Sequence, residues 1–239
     1  MKITESHFFE YTQADTFLPV EPDYTLIRHL EMLSAISTAS FYLVDIRNRQ
    51  FCYVQPNDLF LCGYTAEEAF SLGYGLYLKI VHPEDLPLWA SMHRLILRYI
   101  ERNEDKWDVI EYFSCAFRLQ RKVSFLTRPL PHMIYHRIKP IWKDTKLRYL
   151  ICAVDSTTVK KAGNLRLHNK DGMTYEEYNF VSKKWKEKTI ELITEREKAI
   201  LILAQQGQCT KEIADTLCKS PHTIHHQITE YSSNWMCIQ

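Results

Sequence analysis

The spacing of apolar residues in the first part of the chain predicts one helix followed by a pair of strands. Between Glu21 and Ser37, leucine and isoleucine return every three or four residues, which is the period of a helix with one buried face. The runs 40–46 and 51–54 are rich in β-branched and aromatic residues and flank the polar turn 47–50, so they predict a β-hairpin.

A group of helices follows the hairpin. Residues 57–72 predict short helices, in which Thr65 and Glu68 form a capping box. A longer helix begins at His82-Pro-Glu-Asp85, because proline and acidic residues suit a first helical turn. The apolar stripe of this longer helix consists of Trp89, Met92, Ile96 and Ile100.

Three strand-like segments complete this part of the chain, at 111–120, 133–142 and 147–154. The first of them alternates between apolar and more polar positions, which is typical of a strand with one buried face. The order of two strands, helices and three further strands predicts an α+β fold. We expect a five-stranded antiparallel sheet with helices on one face.

Residues 159–190 differ in composition from the strands before them and predict a connector. Asp171-Gly172 within this segment is a hairpin-turn signal. Residues 160–190 contain eight Lys or Arg and four Asp or Glu, whereas 191–239 contain four basic and six acidic residues. The acidic balance of the last segment argues against tight binding of phosphates by that segment.

Three short helices are predicted in the last segment. Thr194 and Glu197 form a capping box that begins the first helix, and Gly207 suits its C-terminal end. Residues 210–218 predict the second helix. Ser220-Pro221 then supplies a cap and a first-turn proline for the third.

Composition and cysteine placement are those of an ordinary globular protein. The chain has 239 residues, of which 46% are hydrophobic and 25% are charged. Its seven cysteines are scattered without a Cys-x-x-Cys pair, so we expect reduced thiols rather than a disulfide framework or a zinc ribbon. The N-terminus lacks the pattern of a secretory signal, and no apolar run approaches the ~20 residues of a membrane span. We therefore expect a cytoplasmic protein that makes no membrane contact.

The second and third C-terminal helices have the residue types that a helix-turn-helix unit requires. Ala214 is small enough for the point where the two helices cross. Apolar side chains that can bridge the helices are present at Ile213, Leu217, Ile224 and Ile228. Such a unit can place its second helix in the major groove of DNA.

Several motifs between 191 and 231 agree in order and spacing, and together they resemble the C-terminal domain of LuxR/NarL-type transcription regulators. These motifs are Glu195-Arg-Glu197, Lys211-Glu-Ile-Ala214, Leu217 and Ser220-x-His-Thr-Ile224. The resemblance implies that Lys211 lies near phosphates and that the Thr223 hydroxyl contacts the DNA backbone. It also places three side chains of the recognition helix at base edges, where histidine can donate or accept a hydrogen bond. The implied DNA-binding residues are Thr210, Lys211, Ser220, Thr223, His225, His226 and Thr229.

The segment departs from that family in three places. Lys219 stands where the family commonly has an apolar residue, and His225 replaces a common lysine. The family also continues into a further helix that supports dimerisation, whereas residues 230–239 read Glu-Tyr-Ser-Ser-Asn-Trp-Met-Cys-Ile-Gln. Our hypothesis is a truncated or reading-frame-altered C-terminus. The alternative is a helical hairpin that serves only for packing or protein contact.

The part of the chain from 38 to 158 resembles the PAS fold. The most specific match is Val81-His-Pro-Glu-Asp-Leu86, which stands after the short helices and before the long one. PAS domains can hold a ligand between sheet and helices. The candidate pocket residues are Phe41, Leu43, Tyr53, Trp89, Phe113, Cys115 and Phe117. The alternative is that these side chains simply fill the core.

No cofactor, metal site or catalytic site is predicted. The cysteine-containing stretch of PAS flavin photosensors is absent, while haem binding through His82 or His93 stays open. His132 and His136 share one face of a strand, but a metal site would need more ligands. The acidic stretch 82–85 fits a helix cap better than an acid/base cluster, because no paired nucleophile or phosphate loop accompanies it. We therefore do not expect an enzyme.

These observations predict four segments. They are a helical segment at 1–37, a PAS-like sensor at 38–158, a connector at 159–190 and a LuxR-type helix-turn-helix at 191–239. The expected function is that of a bacterial transcription regulator in which the sensor controls the DNA reader. The expected partners are double-stranded DNA, a second copy in a homodimer and a small-molecule ligand of unknown identity. The alternative function is a ligand-binding or protein-interaction module whose helix-turn-helix no longer binds DNA effectively.

Overall fold

The computed structural model describes residues 3–9, 23–103, 108–122, 130–143, 146–190 and 194–235. The chain divides into two compact units, Met1–Lys188 and Thr189–Gln239, which are described separately below.

The first unit mixes helices and strands, as the sequence predicts. Its helices are α1 (Tyr24–Ser34), α2 (Asp58–Leu61), α3 (Ala66–Leu72), α4 (Tyr77–Ile80) and α5 (Leu86–Arg102). Its strands are β1 (Ser40–Asp45), β2 (Gln50–Val54), β3 (Ile110–Leu119), β4 (His132–Lys143), β5 (Lys146–Ser156), β6 (Gly163–Asn169), β7 (Thr174–Asn179) and β8 (Lys184–Thr189). No helix in the described part of the chain is long and apolar enough to cross a membrane.

The strands form one sheet in the order β2-β1-β5-β4-β3-β6-β7-β8. Neighbouring strands from β2 to β7 pair antiparallel. The five predicted strands are present, but the prediction of a five-stranded sheet is too small, because β6, β7 and β8 extend it. The segment assigned to a connector is thus largely strand.

Two leucines explain why β6 joins the sheet. Leu165 and Leu167 lie two residues apart, so they point to the same face, and both are buried in the core of the first unit. The predicted turn at Asp171-Gly172 then connects β6 to β7, with Gly172 in the left-handed region at φ +66°. The outer strands β7 and β8 are polar, so their sequence shows little of the apolar alternation by which strands are recognised.

The helix α1 is shorter than the pattern between Glu21 and Ser37 predicts. The Asp23 carboxylate accepts a hydrogen bond from the Leu26 N–H (3.1 Å), which caps the helix at its start. The helix ends at Ser34, so Ile36 lies beyond it and is 86% exposed. Leu30 is buried against Leu43 and Tyr149, on the face of the sheet opposite the main core.

The main core lies between the other face of the sheet and helices α2 to α5. The stripe predicted for α5 is confirmed, since Trp89, Met92, Ile96 and Ile100 are all buried. The helix begins after Asp85, but the Asp85 carboxylate does not cap it. That carboxylate accepts hydrogen bonds from the Arg118 backbone N–H (2.8 Å), Nε (3.0 Å) and Nη2 (2.6 Å). The acidic stretch therefore joins α5 to β3.

The second unit consists of three helices, α6 (Glu195–Gln205), α7 (Thr210–Thr216) and α8 (Pro221–Trp235). The predicted capping box is present: Glu197 donates its N–H to Thr194 Oγ1 (3.3 Å) and accepts from the Thr194 N–H (2.6 Å). Gly207 follows α6 at φ +84°, a conformation that favours glycine. The small core consists of Ile200, Ile213, Ala214 and Ile224.

Candidate nucleic-acid interface and sensor core

The helices α7 and α8 are joined by the short segment 217–220 and pack against each other. Ser220 Oγ accepts a hydrogen bond from the Thr223 N–H (3.1 Å), so the serine caps α8 as expected. Ala214 and Ile213 of α7 are fully buried, and so is Ile224 of α8. The apolar residues thus hold the two helices together and direct the opposite face of α8 outward.

The structure places most of the predicted DNA-binding side chains on the surface. His225, His226 and Thr229 are exposed on one side of α8, because Thr229 follows the two adjacent histidines by four and three residues. Thr223 is exposed beside that face. Lys211 and Ser220 are also exposed, while Thr210 is half-buried at the start of α7.

The exposed side of α8 is rich in histidine. The helix α8 contains no lysine or arginine, but it carries exposed His222, His225 and His226. Lys198 on α6 is paired with Glu195 (2.6 Å). Among the basic side chains that the structure describes in this unit, Lys211 and Lys219 take part in no ion pair.

The Glu212 side chain caps the N-terminus of α7. Glu212 accepts a hydrogen bond from the Cys209 N–H (2.7 Å), and this contact lowers the pKa of the Glu212 carboxyl. The carboxylate neutralises the partial positive charge of the helix start.

The seven candidate pocket residues of the predicted sensor lie on both faces of the sheet. Trp89, Phe113, Cys115 and Phe117 belong to the main core. The other three pack on the α1 side, where Leu43 is buried and Phe41 and Tyr53 are half-buried. Successive strand residues alternate between faces, so the β1 residues in the main core are Tyr42 and Val44.

A buried polar cluster that the sequence did not indicate lies in that main core. Tyr42 Oη lies 2.5 Å from Tyr77 Oη and 2.5 Å from His136 Nε2. Burial lowers the pKa of His136 to about 3, so its ring is neutral. Two further polar atoms, His136 Nδ1 and Trp89 Nε1, are buried without a hydrogen-bond partner among the described residues. The His136 and Trp89 rings lie 5.1 Å apart.

A second buried histidine connects α5 to the N-terminal segment. His93 Nδ1 lies 3.1 Å from the Phe8 carbonyl oxygen, so this nitrogen must carry the proton and donate it. Its Nε2 lies 3.2 Å from Tyr74 Oη and accepts a hydrogen bond from that hydroxyl. Burial lowers the pKa of His93 to about 4. Both nitrogens already have protein partners, which disfavours a role for His93 as a haem ligand.

The remaining candidate ligands have other surroundings. His132 Nε2 lies 3.3 Å from the Leu59 carbonyl oxygen, while His136 belongs to the buried cluster. Within the described ranges, no group of three or more His, Cys, Asp or Glu could hold a metal ion. Burial raises the pKa of the Cys62 and Cys152 thiols to about 12, so they remain protonated.

The C-terminal segment 230–239, which departs from the LuxR-type pattern, lies only partly within the described residues. The structure continues α8 to Trp235, whereas residues 236–239 lie outside the described residues. The hypothesis of a truncated or reading-frame-altered C-terminus stays a prediction.

No family model matches the sequence, and no curated protein matches it significantly. Among solved structures, the chain is similar to a complex of Vibrio cholerae VqmA with its ligand and DNA. The identity is 14%, the match covers 85% of this chain and 79% of that chain, and the TM-score is 0.33. A Vibrio cholerae VqmA dimer without target DNA, described among LuxR-type receptors, matches with 15% identity, 85% and 80% coverage and a TM-score of 0.34. VqmA bound to DPO matches with 13% identity, 86% and 84% coverage and a TM-score of 0.32. Because TM-scores of 0.32 to 0.34 are too low to support a shared fold, the function proposed below rests on the residues of this chain.

Proposed function

We propose that this chain is a DNA-binding transcription regulator, in which the first unit is a PAS-type sensor and the second a LuxR-type reader. The observation that carries the proposal is the exposed face of α8. Three of the residues assigned to packing (Ile213, Ala214 and Ile224) are buried, and Leu217 and Ile228 are half-buried, whereas those assigned to DNA are almost all exposed. That division is the one that a recognition helix requires.

The roles within the reader follow from position and chemistry. Lys211 binds a phosphate, and Ser220 and Thr223 contact the DNA backbone at the start of α8. His225 and His226 face base edges, where a neutral imidazole offers one donor and one acceptor. The Thr229 hydroxyl donates to the His225 carbonyl (2.8 Å), so toward a base it acts as an acceptor.

The sensor role rests on the unpartnered nitrogens of the main core. Buried polar groups usually have a hydrogen-bond partner, and Trp89 Nε1 can only donate. A small ligand with an acceptor atom near Trp89 and a polar group near His136 would satisfy both nitrogens. Binding there would act on α5 and β4, the elements that carry these two rings. In a homodimer, this ligand-dependent change in the sensor alters the dimer geometry at the two readers.

The experiment is retention of genomic DNA fragments by the purified full chain at low and high salt. Selective retention that weakens with salt supports the proposal, because DNA binding releases counterions. Lys211→Ala should weaken binding to all sequences alike, whereas His226→Ala should relax sequence preference. Lys198→Ala is the matched control, since Lys198 is already paired with Glu195.

A second candidate function is a ligand-binding or protein-interaction module without effective DNA binding. The acidic balance of residues 191–239 favours it, with six acidic and four basic residues. Complete absence of DNA retention at low salt, by a chain whose second unit is shown to be folded, would reject the regulator and support this alternative. Equal effects of Lys211→Ala and Lys198→Ala would also count against the DNA-binding role.

A further inference from the structure

A cleft of about 260 Å³ opens between α5 and the outer strands of the sheet. All of its lining residues belong to the first unit. The helix contributes residues from its C-terminal half, among them Arg98, Tyr99 and Arg102. The sheet contributes Tyr178, Trp185 and, from the turn between β7 and β8, Lys183. The cleft exists only because the segment 163–189 folds as strands.

Three aromatic rings form one side of this cleft. The Trp185 ring lies 5.2 Å from the Tyr99 ring and 5.2 Å from the Tyr178 ring, in edge-to-face contacts. The Tyr99 hydroxyl donates a hydrogen bond to Glu176 Oε1 (2.7 Å). Burial, and to a smaller extent this contact, raises the pKa of Tyr99. This hydrogen bond fixes the position of the Tyr99 hydroxyl and occupies the Glu176 carboxylate. The rings offer a rigid apolar surface to a flat ligand.

Three cationic side chains surround the same cleft, and none of its lining residues is acidic. Arg98 and Arg102 lie one turn apart on α5. Arg102 is in the last turn, where the helix dipole alone favours a cation. That explanation does not apply to Lys183, which comes from a different element. In the described part of the chain neither Arg102 nor Lys183 has an ion-pair partner.

The position of Lys183 is set by its own turn. The Asn179 side chain accepts hydrogen bonds from the Val181 N–H (3.0 Å) and the Ser182 N–H (2.8 Å). Lys183 itself has a positive φ of 54°, which is uncommon for a residue with a side chain. The turn therefore fixes the backbone of Lys183 at the edge of the cleft that Arg102 also lines.

We propose that this cleft binds a small aromatic anion. A flat ring would pack on Trp185 and Tyr178, and a carboxylate or phosphate on that ring would bind Arg102 and Lys183. The volume suits a compound with one ring or two fused rings, since it lies below the range of about 300–1,000 Å³ for larger ligands. This site is separate from the sensor core and does not depend on the proposed DNA binding.

The test is titration of the full-length protein by calorimetry with 4-hydroxybenzoate and with phenyl phosphate. Saturable binding of either compound is expected, and their relative affinities show which anionic group the site prefers. Benzyl alcohol tests the need for charge, and inorganic phosphate tests the need for the ring. Both should bind at least tenfold more weakly than the better aromatic anion.

Paired variants locate the binding. Arg102→Gln combined with Lys183→Gln should weaken the aromatic anion at least tenfold. Lys186→Gln is the matched control, because Lys186 lies on β8 beside Trp185 but does not line the cleft. Circular dichroism confirms that each variant is folded. The proposal is overturned if neither aromatic anion binds saturably, if inorganic phosphate binds as well as phenyl phosphate, or if the double variant binds like the control.

Discussion

At the residue scale, the first unit is distinguished by neutral histidines inside its core. His93 and His136 are each about as buried as the leucines around them, and both exchange hydrogen bonds with tyrosine hydroxyls. Burial disfavours the charged imidazole and lowers the pKa of His93 to about 4 and that of His136 to about 3. These side chains couple the stability of the unit to pH.

We expect the free energy of unfolding of the first unit to fall as the pH decreases below about 6.5. An unfolded imidazole takes up a proton near pH 6.5, whereas the folded His93 and His136 do so only near their lowered pKa values. Between these values the unfolded chain binds more protons, so each histidine costs up to ~1.4 kcal/mol per pH unit. His168, with its pKa lowered to about 4, adds to the same loss.

Urea unfolding at several pH values between 7.5 and 4.5 measures this dependence. His136→Gln should reduce the slope by the contribution of one proton, whatever its effect on stability at pH 7.5. A free energy of unfolding that stays constant between pH 6.5 and 4.5 would contradict neutral buried histidines.

At the element scale, β6 and α8 are each held in place by a few buried side chains. The strand β6 lies in a segment with the composition of a connector, and Leu165 and Leu167 pack it onto the core. The helix α8 has the residue distribution predicted for it. In both elements, a few buried side chains fix the orientation of the element and so determine which side chains are exposed.

Leu167→Ala should destabilise the first unit by about 2–5 kcal/mol. Leu167 is 1% exposed, so truncation removes buried surface and leaves a cavity in the core. Val181→Ala is the control, because Val181 is 95% exposed and its truncation should change stability by no more than about 0.5 kcal/mol. Urea unfolding compares the two variants, and similar small effects would mean that β6 is not part of the core.

Changing both His225 and His226 to glutamine should reduce the preference for a specific duplex over random DNA by about tenfold. The helix α8 has no lysine or arginine, so in the proposed reader these two exposed imidazoles are its main contacts to base edges.

Fluorescence anisotropy with labelled specific and random duplexes measures this effect. The control Lys211→Ala should weaken binding to both duplexes alike and so keep the preference. An unchanged preference in the double variant would remove the two histidines from the interface.

At the scale of the whole molecule, the two units differ greatly in the size of their cores. The first has a core that spans helices and most of an eight-stranded sheet. The second packs around Ile200, Ile213, Ala214 and Ile224, with partly buried neighbours. A domain of roughly 50 residues buries a small share of its surface and is correspondingly marginal in stability.

We therefore expect the second unit to unfold at a lower urea concentration than the first. Hydrogen exchange should show loss of amide protection in α6, α7 and α8 while β4 and β5 remain protected. A DNA duplex that binds the reader should raise the midpoint of the first transition alone. Simultaneous loss of protection in both units would show that they unfold as one cooperative body.

The sequence by itself determined the features that depend on neighbouring residues. The capping boxes at Thr65 and Thr194 and the turn at Asp171-Gly172 are where the pattern places them, because their hydrogen bonds and backbone angles involve residues only a few positions apart. The buried stripe of α5 also follows from local periodicity, since a helix must hide its apolar face.

Only the tertiary structure decided which distant residues meet. It joined Tyr42 to His136 across 94 residues, added β6 to β8 to the sheet and closed the aromatic, cationic cleft on α5. It also divided the predicted pocket residues between the two faces of the sheet. These outcomes depend on strand register and on the packing of whole elements, which local patterns do not encode.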